Sequence, residues 1–438
     1  MEVDKTTIND LSIFDNNDEL SIFEQLDRTL TANGRERLRR NFQQPLRTKE
    51  EILGTQLSLK KIISKLDAWP GAISNGSIMV IEKMYDSQID QIPANPGSWG
   101  LFSYKLLHGP DYSLLKYSVG HAFDFLKAMM KIIELLDEKD TPEPLRSTLE
   151  EAKKMLNAGQ WDWIRKIEKA SLLKGEQVLK LGHTLLYRFR QQMHSLLQLH
   201  ARIDAWYSMA KITKEKNLCF AEFREAGEPF LDLEGLYHLL VENAVPYDIH
   251  INRQKNFLFL TGANMAGKST FIKSVGVAAF LAHTGMGVPA KKMQLSVFDG
   301  LLSNINVIDN IVKGESYFFN EVQRIKKTIT KINDGRKWLI LIDELFKGTN
   351  VQDAMKCSTT VIEGLLKISN SLFILSTHLY EIAEDLNKHP NIIFRYFETS
   401  LKNEELDFNY RLHEGVSNDR MGYLILKQQG VVNLIENL

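Results

Sequence analysis

The sequence predicts a mixed fold, an all-helical N-terminal region followed by an α/β domain built on a mainly parallel sheet. Three observations predict it. Up to about residue 215, Pro and Gly are sparse and gather in residues 92–100 (IPANPGSWG) and 140–145 (DTPEPL), where they punctuate helices. Next, Leu186, Phe189, Met193, Leu196, Leu197, His200, Ile203, Tyr207 and Ala210 keep the three-and-four spacing of one helical face, about seven turns at ~3.6 residues per turn. Such a helix serves either as a lever between distant parts of a molecule or as a member of an ordinary bundle. From about residue 230, short apolar runs take over: residues 257–262 (FLFLTG), 338–344 (WLILIDE) and 372–378 (LFILSTH). Alternating with helical stretches, they argue for a sheet covered on both faces, with ligands at the carboxyl ends of its strands.

Composition bounds the rest. With 438 residues, 44% hydrophobic and 25% charged, the chain is long enough for two or three folded domains and is not of disordered type. Lys and Arg number 54 against 55 Asp and Glu, so no global positive field marks a polyanion partner, although a local basic groove remains open. The two cysteines, Cys219 and Cys357, lie far apart without metal-ligand spacing and read as small apolar residues in a reducing compartment. No apolar run reaches the ~18 residues needed to cross a bilayer, and the acidic, polar N-terminus is unlike a secretory signal. A cytoplasmic protein without a membrane partner is expected.

The most specific motif is TGANMAGKST, Thr261, Gly262, Ala263, Asn264, Met265, Ala266, Gly267, Lys268, Ser269 and Thr270, which fits G-x-x-x-x-G-K-[ST]. It lies between an apolar run and a helical stretch, the context a phosphate-cradling loop requires. Glycines let backbone N–H groups close around phosphate oxygens, and the helix N-terminus adds a positive dipole end. Lys268 neutralises β/γ charge, and Ser269 can ligate Mg²⁺. A P-loop nucleotide domain that uses ATP and Mg²⁺ is expected.

Three further elements complete a candidate hydrolytic site. Asp343 and Glu344 end the apolar run LILIDE; Asp343 is expected to hold the metal through water, and Glu344 to orient the attacking water as general base. The alternative for both is a polar strand end or a helix cap. His378 ends LFILSTH, where a γ-phosphate sensor would sit, although a lone histidine is more often structural. Residues 309–322 (DNIVKGESYFFNEV) place Gly314 and Ser316 just ahead of a helical stretch whose N-terminus can meet a phosphate; taken alone, they read as a loop and cap.

The order of these elements resembles the ATPase domain of the MutS family, a branch of the ABC-type ATPases. TGANMAGKST is similar to that family's TGPNMGGKST, and DELFKGTN to its DEIGRGTS. Residues 21–52 resemble the start of the family's core domain, and residues 415–431 (GVSNDRMGYLILKQQGV) its closing segment. Residues 70–180 match weakly. The resemblance implies a helical core and lever domain over residues 1–232 and an ABC-type ATPase domain over 233–438, with a dimerisation segment near 415–438. It implies that Lys268 and Ser269 bind phosphate and Mg²⁺, that Asp343 completes the metal site, that Glu344 activates water and that His378 contacts the γ-phosphate. Gly314 and Ser316 match the signature loop that reaches the ATP of a second subunit, so two chains would pair head to tail. Departures are Ala263 and Ala266 for Pro and Gly, Tyr317 for Thr, and Phe346-Lys347 for Gly-Arg; none removes a phosphate or metal ligand. The sequence also starts where the family's core starts, which implies a chain lacking the mismatch-reading and connector domains. Phe223-Arg224-Glu225 imitates the family's Phe-x-Glu mismatch probe, but its place beside the ATPase marks it as coincidence.

Two functions compete. The first is a DNA-associated ATPase of the MutS type, in mismatch repair or recombination control, acting as a homodimer on duplex or branched DNA with possible repair-protein partners. Residues 35–42 (RERLRRNF) and 187–192 (YRFRQQ) would touch phosphates without reading sequence, unless they are solvated faces of core helices. The second is a MutS-derived ATPase switch that acts on a protein partner without mismatch recognition. A small-molecule kinase suits Gly314, Ser316 and His378 less well.

Overall fold

The computed structural model describes residues 1–14, 21–71, 73–157, 159–224, 227–305, 317–402, 405–417 and 431–436. The chain opens with strand β1 (Glu2–Val3) and helices α1 (Lys5–Asp10) and α2 (Ile22–Leu26). Helices follow from α3 (Ala32–Gln43) through α4 (Lys49–Ile63), α5 (Asn75–Asp86), α6 (Ser98–Leu107), α7 (Gly109–Leu136), α8 (Leu145–Leu156), α9 (Asp162–Arg165) and α10 (Gly175–His183) to α11 (Arg190–Glu215). The remainder alternates: β2 (Glu222–Phe223), β3 (Phe230–Leu236), β4 (Tyr247–Asn252), β5 (Phe257–Thr261), α12 (Lys268–Thr284), β6 (Lys292–Leu295), β7 (Gly300–Asn304) and α13 (Tyr317–Ile332). Then come β8 (Trp338–Asp343), α14 (Val351–Leu365), β9 (Leu372–Ser376), α15 (Ile382–Leu386), β10 (Ile392–Lys402), β11 (Glu405–Glu414) and α16 (Val431–Glu436).

The fold is mixed α/β, in two compact units that do not follow a single cut at residue 232. One unit takes residues 26–43 and 53–216; the other takes 1–25, 44–52 and 217–438. The chain start belongs to the second unit because Glu2 and Val3 pair in parallel with Gly300 and Leu301 of β7. Leu11 reinforces this attachment by packing on α12, where a Cβ on Gly276 would meet its side chain.

The first unit is helical throughout. Its central element is α11, 26 residues long, with nearly every residue from Leu196 to Ala210 buried. It begins later than the apolar stripe suggests. Thr184–Arg188 form a π-helical turn that ends at Phe189 (φ −118°), whose N–H reaches back five residues to Thr184 O, so Leu186 belongs to that turn. Asp204 of α11 accepts hydrogen bonds from Leu30 N, Thr31 N and Thr31 Oγ1, tying the start of α3 to the helix. Burial pushes the Asp204 carboxyl upward, and these donors offset it. Within α3, Leu38 and Phe42 are buried, while Arg35 pairs with Asp27 and Arg40 with Glu36. Residues 35–42 thus form a packed helix with a solvated charged face.

The second unit carries a seven-stranded sheet in the order β1-β7-β8-β9-β5-β10-β11, parallel except for the last pair. Period-two alternation puts Ile340 and Ile342 on one face of β8 and Leu341 on the other. Ile340 and Ile342 join a core with Ile325 and Ile332 of α13 and Ala354 and Ile362 of α14; Leu341 meets Gly276 of α12. The sheet is therefore covered on both faces, which is why its strands are continuous apolar runs. A second, four-stranded sheet has the order β2-β6-β3-β4. Phe223 of β2 is buried, with its ring edge-on to His283, so it cannot probe a base stack; Glu225 lies outside the described residues.

One buried polar network locks the chain start to this unit. Asp10 Oδ2 accepts from Ser303 Oγ (2.6 Å), Ile305 N (3.0 Å) and Arg324 Nη2 (2.8 Å), and Thr7 Oγ1 accepts from Ser303 N (2.9 Å). Replacing one member of such a pair strands the other charge in a poorly solvated place. Asp10→Ala is expected to lose about 3 kcal/mol, read as a lower denaturant midpoint of the α/β unit, whereas Asp4→Ala loses only the cap of α1, about 1 kcal/mol.

Candidate active site

Three neighbouring parallel strands end in line. Leu260 of β5 is level with Ser376 of β9, which is level with Asp343 of β8. The loop after β5, the Asp343-Glu344 pair and His378 therefore leave the sheet at one carboxyl edge, the place where open α/β sheets bind ligands.

The loop from Gly262 to Gly267 turns back onto the N-terminus of α12. Gly262 has φ +141°, and a Cβ there would sit 3.0 Å from the backbone oxygen of Phe397. Gly267, with φ +106°, is the N-cap of α12. Both positions need glycine for backbone and space alike. Ala263 and Ala266 are buried and Asn264 and Met265 are exposed, Met265 in the left-handed region at φ 70°. Thr261, buried, accepts from Ser417 N through Oγ1 (2.9 Å). Lys268 is 5% exposed and folds back to donate to Gly262 O (2.7 Å) and Ala263 O (3.0 Å). Burial lowers its pKa, and the carboxylates Glu344 and Asp343 partly offset that. Ser269 and Thr270 open the first turn of α12, Ser269 facing solvent.

Asp343 is buried and bonds Ser376 Oγ through Oδ1. Glu344 takes φ 62° and anchors its N–H on Ser376 O (2.9 Å). Its carboxylate is held from two sides, with His378 Nδ1 3.3 Å from Oε1 and Lys347 Nζ 2.8 Å from Oε2. Burial alone would raise the Glu344 pKa; the His378 and Lys347 bonds outweigh it and bring it down to about 2. A carboxylate that acidic is ionised at neutral pH but is a poor proton acceptor while both partners stay in place.

A cavity of about 540 Å³ lies beside this edge, lined by Ala263, Asn264, Met265, Gly267, Lys268, Ser269, Thr270 and Glu344. Its remaining wall comes from the 238–247 segment and from β11: His238, Val241, Glu242, Asn243, Ala244, Val245, Tyr247 and Tyr410. The Tyr410 ring covers Gly267, whose added Cβ would lie 3.3 Å from its Cδ1. Tyr247 is fixed edge-on to Phe271 and Phe397 at 5.3 and 5.7 Å between centroids. His238 Nδ1 accepts from Leu240 N, and burial brings its pKa down to about 4. Volume, aromatic wall and polar floor suit a nucleotide-sized ligand. Sequence reasoning missed this wall, because no motif marks Tyr247 or Tyr410 and folding alone brings them to the loop. Gly314 and Ser316 lie outside the described residues.

Hard oxygen donors are the right chemistry for Mg²⁺. Asp343, whose carboxylate stands at the strand end beside a buried lysine, and Ser269 at the helix start supply them. Among the described residues, no helix is long and apolar enough to cross a membrane.

Comparison with known proteins bears on the same region. The family model described as MutS domain V matches residues 258–436. The DNA mismatch repair protein MutS of Persephonella marina is 27% identical over 395 residues, covering 84% of this chain and 43% of that protein. That of Geobacillus thermodenitrificans is 27% identical over 308 residues, 66% of this chain and 33% of its own length. That of Thermotoga maritima reaches 31% identity over 242 residues, 54% of this chain and 30% of its own length. The chain thus spans less than half the length of these curated relatives.

Proposed function

Because the chain belongs to the MutS family, we propose that it is an ATPase whose two sites form between two copies of the chain and whose turnover moves helices that grip DNA. One observation carries this reading: Lys268, Asp343, Glu344 and His378 gather at the ends of adjacent parallel strands, where Lys268 and Glu344 line one nucleotide-sized cavity. Lys268 would leave the carbonyls of Gly262 and Ala263 for the β/γ-phosphates, a move its lowered pKa favours by returning a counter-charge to a buried ammonium. Tyr247 and Tyr410 would border the base. Mg²⁺ held by Ser269 and Asp343 would neutralise phosphate charge. Water oriented by Glu344 attacks the γ-phosphorus, the bond to the bridging oxygen breaks with its electron pair leaving on ADP, and the water proton passes toward Glu344. His378, now beside Glu344, would contact the γ-phosphate.

In this reading Gly314 and Ser316 of one copy complete the site of the other. The C-terminal segment would strengthen the pair, and in α16 Leu434 and Ile435 expose apolar surface suited to that role. The expected setting is cytoplasmic mismatch repair or recombination control, on duplex or branched DNA and with other repair proteins.

A second reading, a switch that grips a protein partner, is favoured by α6, which exposes Trp99, Phe102, Leu106 and Leu107 at 84, 60, 72 and 74%. Salt dependence separates the two. Phosphate contacts release counterions, so DNA affinity on homoduplex, mismatched and branched probes is expected to fall steeply between about 50 and 200 mM salt, roughly 10³-fold for six contacts. Absence of binding to any of these DNAs at low salt, with and without ATP, sinks the DNA reading and leaves the protein-partner one.

A further inference from the structure

Helices α3 and α11 run antiparallel and bring two arginines together. Arg28 N donates to Ser208 Oγ (2.7 Å), Thr31 N donates to Asp204 Oδ2 (2.9 Å), and a Cβ on Gly34 would overlap the Asp204 carboxylate. Positions thus fall along α11 as they rise along α3, so Arg37, a turn beyond Gly34, comes beside the turn of α11 that carries Arg202. Arg202 also reaches α8, where its Nη1 stands 3.4 Å from Thr148 Oγ1, near the outer limit of a hydrogen bond. That hydroxyl donates in turn to Pro144 O (3.1 Å), so it steers Arg202 as an acceptor. The Nε atoms of Arg37 and Arg202 are both buried and without a hydrogen-bond partner. Among the described residues, neither guanidinium has a carboxylate in ion-pair range. Elsewhere on α3 the charges are met, Arg35 by Asp27 and Arg40 by Glu36.

Two like charges on one helix seam repel, and partial burial adds to the cost. Burial lowers the Arg37 pKa, and the neighbouring charges of Arg202 and then Arg40 lower it further. Arginine is seldom withdrawn from water unless something pairs with it, and a buried N–H needs an acceptor. A tetrahedral oxyanion supplies both, negative charge and several acceptor oxygens in the geometry that a guanidinium fork matches. We propose that Arg37 and Arg202 form an oxyanion site that takes a phosphate group, with Thr148 orienting Arg202. A free phosphate ion and a phosphate of a nucleic-acid backbone present the same oxygens to the pair. The site is built wholly from residues of the helical unit, and it does not rest on the ATPase reading.

Equilibrium dialysis of the full chain against radiolabelled inorganic phosphate tests the site, in a Lys268→Met background so that the loop before α12 does not retain the probe. About one phosphate per chain is expected at millimolar concentration, with affinity lower by roughly 10- to 100-fold once Arg37→Gln or Arg202→Gln is added, through loss of charge-assisted hydrogen bonds. Phosphate is also expected to raise the unfolding midpoint of the Lys268→Met chain and not that of either double variant. Titration of a homoduplex DNA against salt separates the two sources. For a backbone phosphate, Arg37→Gln makes the slope of log affinity on log salt shallower by about 0.9. For a free phosphate the slope stays as it was while phosphate retention is lost. Phosphate retained equally by all the variants is an adventitious ion only and overturns the proposal. No retention, together with an unchanged slope, overturns it as well. Should one Gln variant fail to fold, the other decides; should both fail, Arg37→Lys, which keeps the charge and loses the fork, is expected to weaken phosphate retention in the same assay.

Discussion

Glu344→Gln is expected to lower ATP turnover by roughly 10²- to 10⁴-fold while leaving ATP binding intact. The carboxylate lines the cavity and is held by Lys347 and His378, while its neighbour Asp343 is buried and engaged by Ser376. Glutamine keeps the shape and one acceptor but cannot take a proton. Loss of the negative charge also releases Lys347 and His378, which removes no phosphate contact. Steady-state hydrolysis and equilibrium binding of a fluorescent ATP analogue separate the two effects; unchanged turnover overturns the assignment of Glu344. The same ion pairs set a pH expectation. A carboxyl held near 2 in the folded chain, against about 4.5 ordinarily, contributes stability that is complete above the ordinary value and is lost as pH falls toward 2. The acid limb that Glu344 contributes to the stability of the nucleotide-free protein should therefore begin only below about pH 5 and run down toward pH 2.

Lys268→Met is expected to abolish ATP binding at concentrations that saturate the wild type, an affinity loss on the order of 100-fold, and to leave the fold standing. The second half is the less obvious one. Lys268 bonds carbonyl oxygens, and its burial outweighs the pull of the nearby carboxylates Glu344 and Asp343, so an apolar side chain of similar volume removes that desolvation cost. Thermal unfolding without nucleotide should give a midpoint equal to or above that of wild type. ATP with Mg²⁺ should raise that of wild type alone. A variant that still binds ATP would show that the phosphate cradle works without its lysine and would undo the site.

How much of this was legible in the sequence follows physical lines. Motifs whose chemistry depends on neighbouring residues were legible: the Gly262 to Ser269 loop, and Asp343 and Glu344 at the end of an apolar run. Strand direction then brought them together, because parallel strands of one sheet share a carboxyl edge. Contacts between residues distant in the chain were not. Tyr247 and Tyr410 reach the loop from different strands, and Glu321 reaches the Lys347 amide from a helix that the sequence marks only as following a loop. Nor could periodicity assign the first residues to the sheet unit, since a two-residue strand leaves no pattern and its pairing with β7 spans nearly 300 positions. The start of α11 was misplaced by a few residues because a π-helical turn preserves an apolar stripe almost as an α-helix does.

In the composite-site reading proposed above, hydrolysis needs two chains, with Ser316 of one completing the nucleotide site of the other. Light scattering of Glu344→Gln, first alone and then with ATP and Mg²⁺, tests it most directly. The mass of one chain is expected without nucleotide, the mass of two with ATP, and a return to one when Ser316→Ala is added to the same variant. A mass that ignores ATP, or a dimer that persists with Ser316→Ala, would contradict it.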